Sequence, residues 1–253
     1  KNHTIISTKA NTLFALRSLL THSMIEEMFI LYIGDFYKDR HAVCRQIMEQ
    51  FKGKRIVVRS SYSNEDSFTH SNAGHYKSIL DVDSSDDSQI IASIEEVIHS
   101  YEETDKLDYE QVLIQRQAED VVISGVVFSR DIHGNRPYYL INYDDNGSTD
   151  SVTSGQGGTS LWIARDSDVS RLPLPWSNLI ISVKEAESIL DGLTLDIEFA
   201  VNSRNEVTLF QLRPLVASIR QERSMEDSAY FSLKKKLLLQ YLSYENVITH
   251  SPM

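Results

Sequence analysis

The sequence predicts an α+β protein of two lobes, the second built mostly of antiparallel sheet, and three observations predict it. Up to residue 110, helical spacings of three and four alternate with short β-branched runs. From residue 111 the dominant period becomes two. No unit of about 20 to 50 residues repeats, which excludes solenoids and propellers. At 253 residues, 41% hydrophobic and 24% charged, the chain is long enough to bury a sizeable core and too apolar to stay disordered. The expected division is a first lobe over 1–110, a second over 111–215, and a helical tail or linker over 216–253.

Leu13, Leu16 and Leu20 mark one side of a helix over 9–21, and Met28–Ile33 reads as a buried strand. Val43, Ile47 and Phe51 place a second helix over about 38–51. The run Lys54-Arg55-Ile56-Val57-Val58-Arg59 is a short strand that delivers Arg59 to its edge, and Ser60–Gly74 follows as a loop. Tyr76–Val82 is a strand; Ile90, Ile94, Val97, Ile98 and Tyr101 trace one face of a helix over 87–102. The acidic stretch Glu102–Glu110 separates the lobes. In the second lobe Gln111–Gln117, Val121–Arg130 and Arg136–Tyr143 are strands joined by polar turns, His133-Gly134-Asn135 among them. Residues 144–160, rich in Gly, Asp, Ser and Thr, read as loop. Ser182-Val183-Lys184-Glu185 has the capping-box pattern for a helix over 183–191. Thr194–Val201 and Glu206–Pro214 close the lobe as a hairpin, and 226–242 is a leucine-rich amphipathic helix.

Charge and cysteine usage narrow the function classes. Lys+Arg 25 against Asp+Glu 36 gives a formal charge of −11, which repels polyanions and argues against a nucleic-acid or anionic-membrane surface. A single cysteine, Cys44, makes neither an internal disulfide nor a cysteine-rich zinc site, and no basic-apolar leader or run of ~20 apolar residues is present. A reducing cytoplasm is the expected compartment. The eight histidines show no HExxH spacing, and Gly155-Gln156-Gly157-Gly158 lacks the lysine of a phosphate loop. The chain starts at Lys1 and ends at Met253 without a closing motif, so a piece of a longer polypeptide is expected.

The closing hairpin carries the most chemistry. Alternation puts Leu195, Ile197 and Phe199 on one face and Asp196 and Glu198 on the other; on the return strand Gln211 and Arg213 share a face. If Val201 opposes Glu206, Asp196 sits across from Gln211 with Glu198 on its diagonal. Two carboxylates, an amide and a guanidinium on one ribbon face suit Mg²⁺, which shares its shell with substrate phosphates, and an arginine that neutralises phosphate oxygens. The plainer reading of the same string is cross-strand salt pairing on a solvated face.

Several strings together resemble one family. Leu195-Asp196-Ile197-Glu198-Phe199-Ala200 with Leu209-Phe210-Gln211-Leu212-Arg213-Pro214 is similar to the paired motif that closes the nucleotide-binding domain of phosphoenolpyruvate synthase and pyruvate phosphate dikinase. Val58-Arg59-Ser60-Ser61-Tyr62-Ser63-Asn64-Glu65-Asp66, continued by Asn72-Ala73-Gly74 and Ile79-Leu80-Asp81-Val82, resembles that family's arginine-serine segment. Ser7-Thr8-Lys9-Ala10-Asn11-Thr12-Leu13 is similar to its N-terminal lysine element, and Ser124-Gly125-Val126-Val127-Phe128-Ser129-Arg130 follows in the same order.

The resemblance implies an ATP-grasp fold, in which two lobes clamp ATP and Mg²⁺, and a phosphate-donating domain that phosphorylates a histidine on another domain, or an acceptor directly. It implies Lys9, Arg59 and Arg213 at the phosphates, Arg59 and Arg213 being the catalytic pair, with Asp196 in support. Gln115 falls at the hinge beside the adenine, and Glu198 and Gln211 ligate the metal. Glu65 and Asp66 match an acidic pair, or cap the loop. Two departures stand out: Ser7 and Thr8 replace glycines that let the backbone approach phosphate, and the family's Gly-Leu-Gly-Glu loop after Ile141-Asn142 is missing. The swivel and pyruvate-binding domains of the full enzymes are absent from these residues. A related kinase of the rifampicin phosphotransferase or glucan water dikinase type, and a degenerate module that binds nucleotide without transfer, are the alternatives.

Overall fold

A computed structural model describes residues 5–63, 77–101, 107–131, 136–145, 158–215 and 229–237. Two antiparallel sheets organise them. The first has four strands, β1 (Met28–Tyr32), β2 (Arg55–Ser61), β3 (Ser78–Asp83) and β4 (Gln111–Arg116), in the order β1-β4-β2-β3. One face of this sheet is covered by α2 (Ile33–Lys38), α3 (Arg40–Phe51) and α4 (Asp87–Ile98). Ile56 and Val58 of β2 and Val112 and Ile114 of β4 point into that helical core with Phe36, Ile47 and Ile94. By the two-residue period, Val57, Arg59 and Ser61, and Gln111, Leu113 and Gln115, face the other way. Leu113 accordingly packs in the second core.

The second sheet has five strands, β5 (Val121–Phe128), β6 (Tyr138–Asp144), β7 (Thr159–Ala164), β8 (Leu195–Asn202) and β9 (Val207–Pro214), in the order β7-β6-β5-β8-β9. Its core gathers α1 (Lys9–Leu16) and α5 (Leu174–Ile189) with Val127, Ile141, Ile197, Phe199 and Leu209. Leu13 and Leu16 of α1 are fully buried there, each contributing ~1.5–3 kcal/mol of burial. The segment after α1 runs along β9: Met24 N–H donates to Val207 O at 2.9 Å and Met24 O accepts from Leu209 N–H at 2.9 Å. That segment shields the exposed edge of β9. Helix α1 therefore joins both lobes, packing its apolar face on the second sheet while its N-terminus touches the first.

Several expected elements differ in extent. The helix expected over 9–21 stops at Leu16, with Leu19 N–H and Leu20 N–H both turning back onto Leu16 O. The helix expected over 38–51 is two helices. Asp39, with φ −155° and ψ 88°, breaks them, and its side chain caps α3 by accepting from Ala42 N–H at 2.9 Å. The expected first strand loses Ile33 to α2, and the helix expected to 102 ends at Ile98. Strand Gln111–Gln117 was expected in the second lobe. As β4 it pairs with β1 and β2, so the change of sheet falls between β4 and β5.

The expected helix over 183–191 is the last half of α5, which starts at Leu174 behind Pro173. Pro175 lies in its first turn, where the missing N–H costs nothing. Ser182 and Glu185 serve a different purpose from a capping box. Ser182 Oγ donates to His22 O at 3.0 Å, and Glu185 accepts from Thr21 N–H at 2.9 Å and from His22 N–H at 3.0 Å. Strand β7 has no counterpart among the expected elements; its residues 159 and 160 fall inside the expected loop. Of the tail, 229–237 is helical, and Tyr230 and Phe231 pack edge-on against Tyr138. The turn 132–135 and most of the loop 144–160 lie outside the described residues. Among the described residues no helix is long and apolar enough to cross a membrane.

Candidate functional site

The hairpin β8–β9 is in a register different from the simple expectation. Val201 opposes Val207, not Glu206, and Phe199 opposes Leu209. A bulge then inserts Phe210, after which Glu198 opposes Gln211 and Asp196 opposes Arg213. Two residues on one strand face one on the other, and the ribbon bends locally. Asp196, Glu198, Gln211 and Arg213 remain on the face away from Leu195, Ile197 and Leu212, which lie in the core.

The bulge has a direct consequence for Arg59. Its Nη1 donates to Phe210 O at 2.9 Å, its guanidinium carbon lies 5.8 Å from the Phe210 ring centroid, and its Nη2 donates to Glu198 at 2.7 Å. The side chain that the alternation of β2 turns away from the helical core thus crosses to the second sheet. Arg59 and Glu198 are both largely buried, their side chains 12% and 22% exposed. Next along the ribbon, Arg213 Nε donates to Asp196 at 2.7 Å.

The two carboxyls, alike in sequence, titrate in opposite directions. Burial pushes the Asp196 carboxyl above its ordinary value; the Arg213 charge opposes this incompletely, and the Glu198 charge adds to it. Burial also pushes Glu198 upward, but Arg59, Lys9 and Arg213 together hold it below its ordinary value. Glu198 is therefore the anion kept ionised at the junction of the sheets, inside a small cationic field of a chain that is acidic overall.

Lys9 is the first residue of α1 and is 4% exposed. Its placement follows from how that helix is anchored. Thr8 caps α1 by accepting from Asn11 N–H at 3.3 Å, and its hydroxyl donates to Gln111 Oε1 at 2.7 Å. Ala10 N–H donates to Ser61 Oγ at 2.9 Å. Ser61 N–H in turn donates to Tyr101 Oη at 3.0 Å, and Tyr101 Oη donates to Gln111 O at 2.5 Å. The first turn of α1 is thereby tied to the ends of β2 and β4. Gln115, also on the inward face of β4, is 2% exposed, and its Nε2 is buried with no hydrogen-bond partner among the described residues.

The structure thus brings Lys9, Arg59, Asp196, Glu198 and Arg213 into one electrostatic cluster, with Gln211 directly across from Glu198. Gln115 faces the same junction from β4, two residues along from Leu113, which opposes Arg59. Glu65 and Asp66 lie outside the described residues. Sequence reasoning missed Phe210, whose carbonyl holds Arg59, and the Tyr101–Gln111–Ser61 relay behind Lys9. Among the described residues no group of three or more His, Cys, Asp or Glu side chains is placed to hold a metal. Magnesium does not need one, because it commonly takes one or two carboxylates and fills its shell with water and phosphate oxygens. The oxygens of Glu198 and Gln211 fit that use, and the orphaned Gln115 amide fits a heterocycle acceptor. A separate depression of about 410 Å³, lined by Tyr139, Arg165, Lys184 and Glu187 among others, shares none of these residues. Its arginine is taken up by Glu187 at 2.8 and 3.0 Å.

No protein-family model matches the sequence, and no curated protein matches it either. Solved structures do. Carboxyaminoimidazole ribonucleotide synthase from Aspergillus clavatus, solved with ATP, superposes with a TM-score of 0.50 at 13% identity, over 83% of this chain and 45% of that one. D-alanine–D-alanine ligase from Helicobacter pylori gives 0.48 at 14% identity, over 84% and 55%. The ADP complex of the synthetase PurK gives 0.48 at 10%, over 88% and 49%. The chain spans about half the length of these structures. The fold is α+β and ATP-grasp-like, with two antiparallel sheets.

Proposed function

We propose that this chain is the ATP-binding, phosphate-donating domain of a phosphoenolpyruvate synthase-like phosphotransferase. The observation that carries the reading is Arg59 of the first sheet meeting Glu198 of the second, with Lys9 and the Asp196–Arg213 pair beside them. These are the residues that the ordered sequence motifs single out, and they come from three separate stretches of chain. Lys9, Arg59 and Arg213 would bind phosphate oxygens by charge-assisted hydrogen bonds, and Asp196 would orient Arg213. Glu198 and Gln211 would hold Mg²⁺, and Gln115 would offer its free amide to the adenine. Bound magnesium would neutralise phosphate charge, and the rest of the catalysis would be positioning. In a longer polypeptide the phosphate would pass to a histidine of a neighbouring domain, or straight to an acceptor.

Isothermal titration of the chain with ATP and Mg²⁺ tests the binding half. Glu198→Ala should abolish the dependence on Mg²⁺, and Arg59→Ala should weaken ATP by ~1–3 kcal/mol per lost charged hydrogen bond. Unchanged affinity in both variants sinks the site. The transfer half is tested by looking for acid-labile phosphohistidine in the chain extended through its native downstream sequence.

One observation favours a second reading, a module that binds nucleotide and transfers nothing. Ser7 and Thr8 stand where the resembled family has glycines, and their groups are already committed: Thr8 to the α1 cap and Gln111, and Ser7 N–H to Thr12 Oγ1 at 2.9 Å. Tight Mg·ATP binding without phosphohistidine in the extended chain would decide for it. A kinase of the rifampicin phosphotransferase or glucan water dikinase type would instead label a different acceptor.

A further inference from the structure

The two groups best suited to a triphosphate and its metal are spent on each other. Arg59 Nη2 lies 2.7 Å from Glu198 Oε2, and Arg59 Nη1 is held by Phe210 O at 2.9 Å. A guanidinium so paired is not available to phosphate, and a carboxylate so paired has little field left for a cation. The formal charge of −11 opposes a metal-free triphosphate.

Resting on the nucleotide reading above, we infer that the Arg59–Glu198 pair is a latch which only a metal–triphosphate complex opens. On opening, Arg59 turns from Glu198 to the phosphates, and Glu198 turns to the accompanying dication. Each buried charge exchanges one opposite partner for another. A metal-free nucleotide that drew Arg59 away would strip Glu198 of its hydrogen-bonded arginine and leave it only the charges of Lys9 and Arg213, beside further negative charge. A dication alone would leave Arg59 a buried cation with one carbonyl for company. Only the joint exchange leaves both groups paired, so metal and nucleotide binding are strongly coupled. The latch is closed by two different sheets, and the second hold on Arg59 comes from the Phe210 bulge. Opening it therefore loosens one lobe from the other at the point where the ligand enters.

Calorimetry on the full chain tests this with three ligands: Mg²⁺ alone, ATP in EDTA, and ATP with Mg²⁺. Wild type should bind the third at least about tenfold more tightly than the second, and the first not measurably. E198Q keeps the shape and frees Arg59, so it should bind ATP in EDTA about tenfold more tightly than wild type and gain little from Mg²⁺. E96Q removes one negative charge from the exposed face of α4 and should leave metal-free binding unchanged. Reciprocally, R59M frees Glu198 and should take up Mn²⁺ without nucleotide, seen as loss of the free-ion electron paramagnetic resonance signal, where wild type does not.

The latch is overturned if E198Q binds metal-free ATP no better than wild type, if E96Q gains as much, or if wild type takes up the metal alone as well as with ATP. Should circular dichroism show E198Q unfolded, R59M decides: no gain in Mn²⁺ uptake overturns the latch. Tight Mg·ATP binding by wild type with no gain in either variant sinks the latch and leaves the nucleotide reading standing. No Mg·ATP binding by wild type sinks both.

Discussion

Arg213 lies directly across the β8–β9 ribbon from Asp196, Nε to Oδ2 at 2.7 Å, with the carboxylate 9% and the guanidinium 21% exposed. Burial raises the Asp196 carboxyl even with this partner in place. Removing the partner alone leaves a buried carboxylate that must either stay charged without compensation or take up a proton. Arg213→Met should therefore cost ~3–5 kcal/mol, and Asp196→Asn with Arg213→Met together should cost clearly less than the single arginine change. Urea unfolding of these two variants and of Asp196→Asn alone completes the double-mutant cycle. A double variant as unstable as Arg213→Met would mean that the pair contributes through packing and not through charge.

Close approach of two strands fixes one glycine in the second sheet. A Cβ at Gly125 of β5 would lie 2.2 Å from Asn142 O and 2.9 Å from Tyr143 Cα on β6. Both are backbone atoms and neither can rotate away. Gly125→Ala should destabilise the protein by ~1–3 kcal/mol or more through forced separation of β5 from β6. Thermal melting by circular dichroism checks it. A melting temperature unchanged within error would show that the sheet opens there without strain.

Alternation alone was enough to place Arg59 and Glu198 on faces that could meet. Ile56 and Val58 had to be inward, which sent Arg59 to the other side of β2, and Leu195, Ile197 and Phe199 did the same for Glu198. The bulge was hidden by one apolar residue. The core positions of β9 are Val207, Leu209 and Leu212, a spacing of two and then three. With a polar residue at 210 that break in period would have been visible; Phe210 disguised it as continued alternation. The sheet that β4 joins was not legible, because pairing with β1 and β2 is a long-range event with no local signature. Helix α5 was placed too late because Ser182 and Glu185 have the spacing of a capping box, whereas the helix starts at Leu174 with Pro175 in a first turn that tolerates it. The Tyr101–Gln111–Ser61 relay left no signal at all, since it joins residues whose types are ordinary in strands and helix ends.

The link between α5 and the loop after α1 carries a pH dependence. Burial pushes the Glu185 carboxyl up, but hydrogen bonds from the Thr21 hydroxyl and from the Thr21 and His22 N–H groups outweigh it, and the net shift is downward. A depressed folded-state value means that the unfolded chain binds the proton more readily. The stabilisation is complete above the unfolded carboxylate range of about 4.3 and is lost as pH falls through the lower folded value. The stability difference between wild type and Glu185→Gln should be present at about pH 5 and shrink below about pH 4. Urea midpoints across that range measure it. A difference that grows on acidification would reverse the sign and refute the assignment.

Cys44 provides a last test of the helical core of the first lobe. The residue is 1% exposed, and burial pushes its thiol up to about 11. Asp87 adds to the shift and Arg45 opposes it. Since the thiolate is the reactive form, at pH 8 only on the order of one molecule in a thousand is ionised there, against roughly a quarter for an unperturbed cysteine. Steric burial slows attack further. Native protein should therefore react with Ellman's reagent orders of magnitude more slowly than protein unfolded in guanidinium, with one thiol released in the unfolded sample. Reactivity in the native state should rise only with local opening of α3, so destabilising the helix cap with Asp39→Ala, worth ~1 kcal/mol, should speed the reaction about fivefold. An equal rate in native and unfolded protein would show that α3 does not bury this thiol against the first sheet.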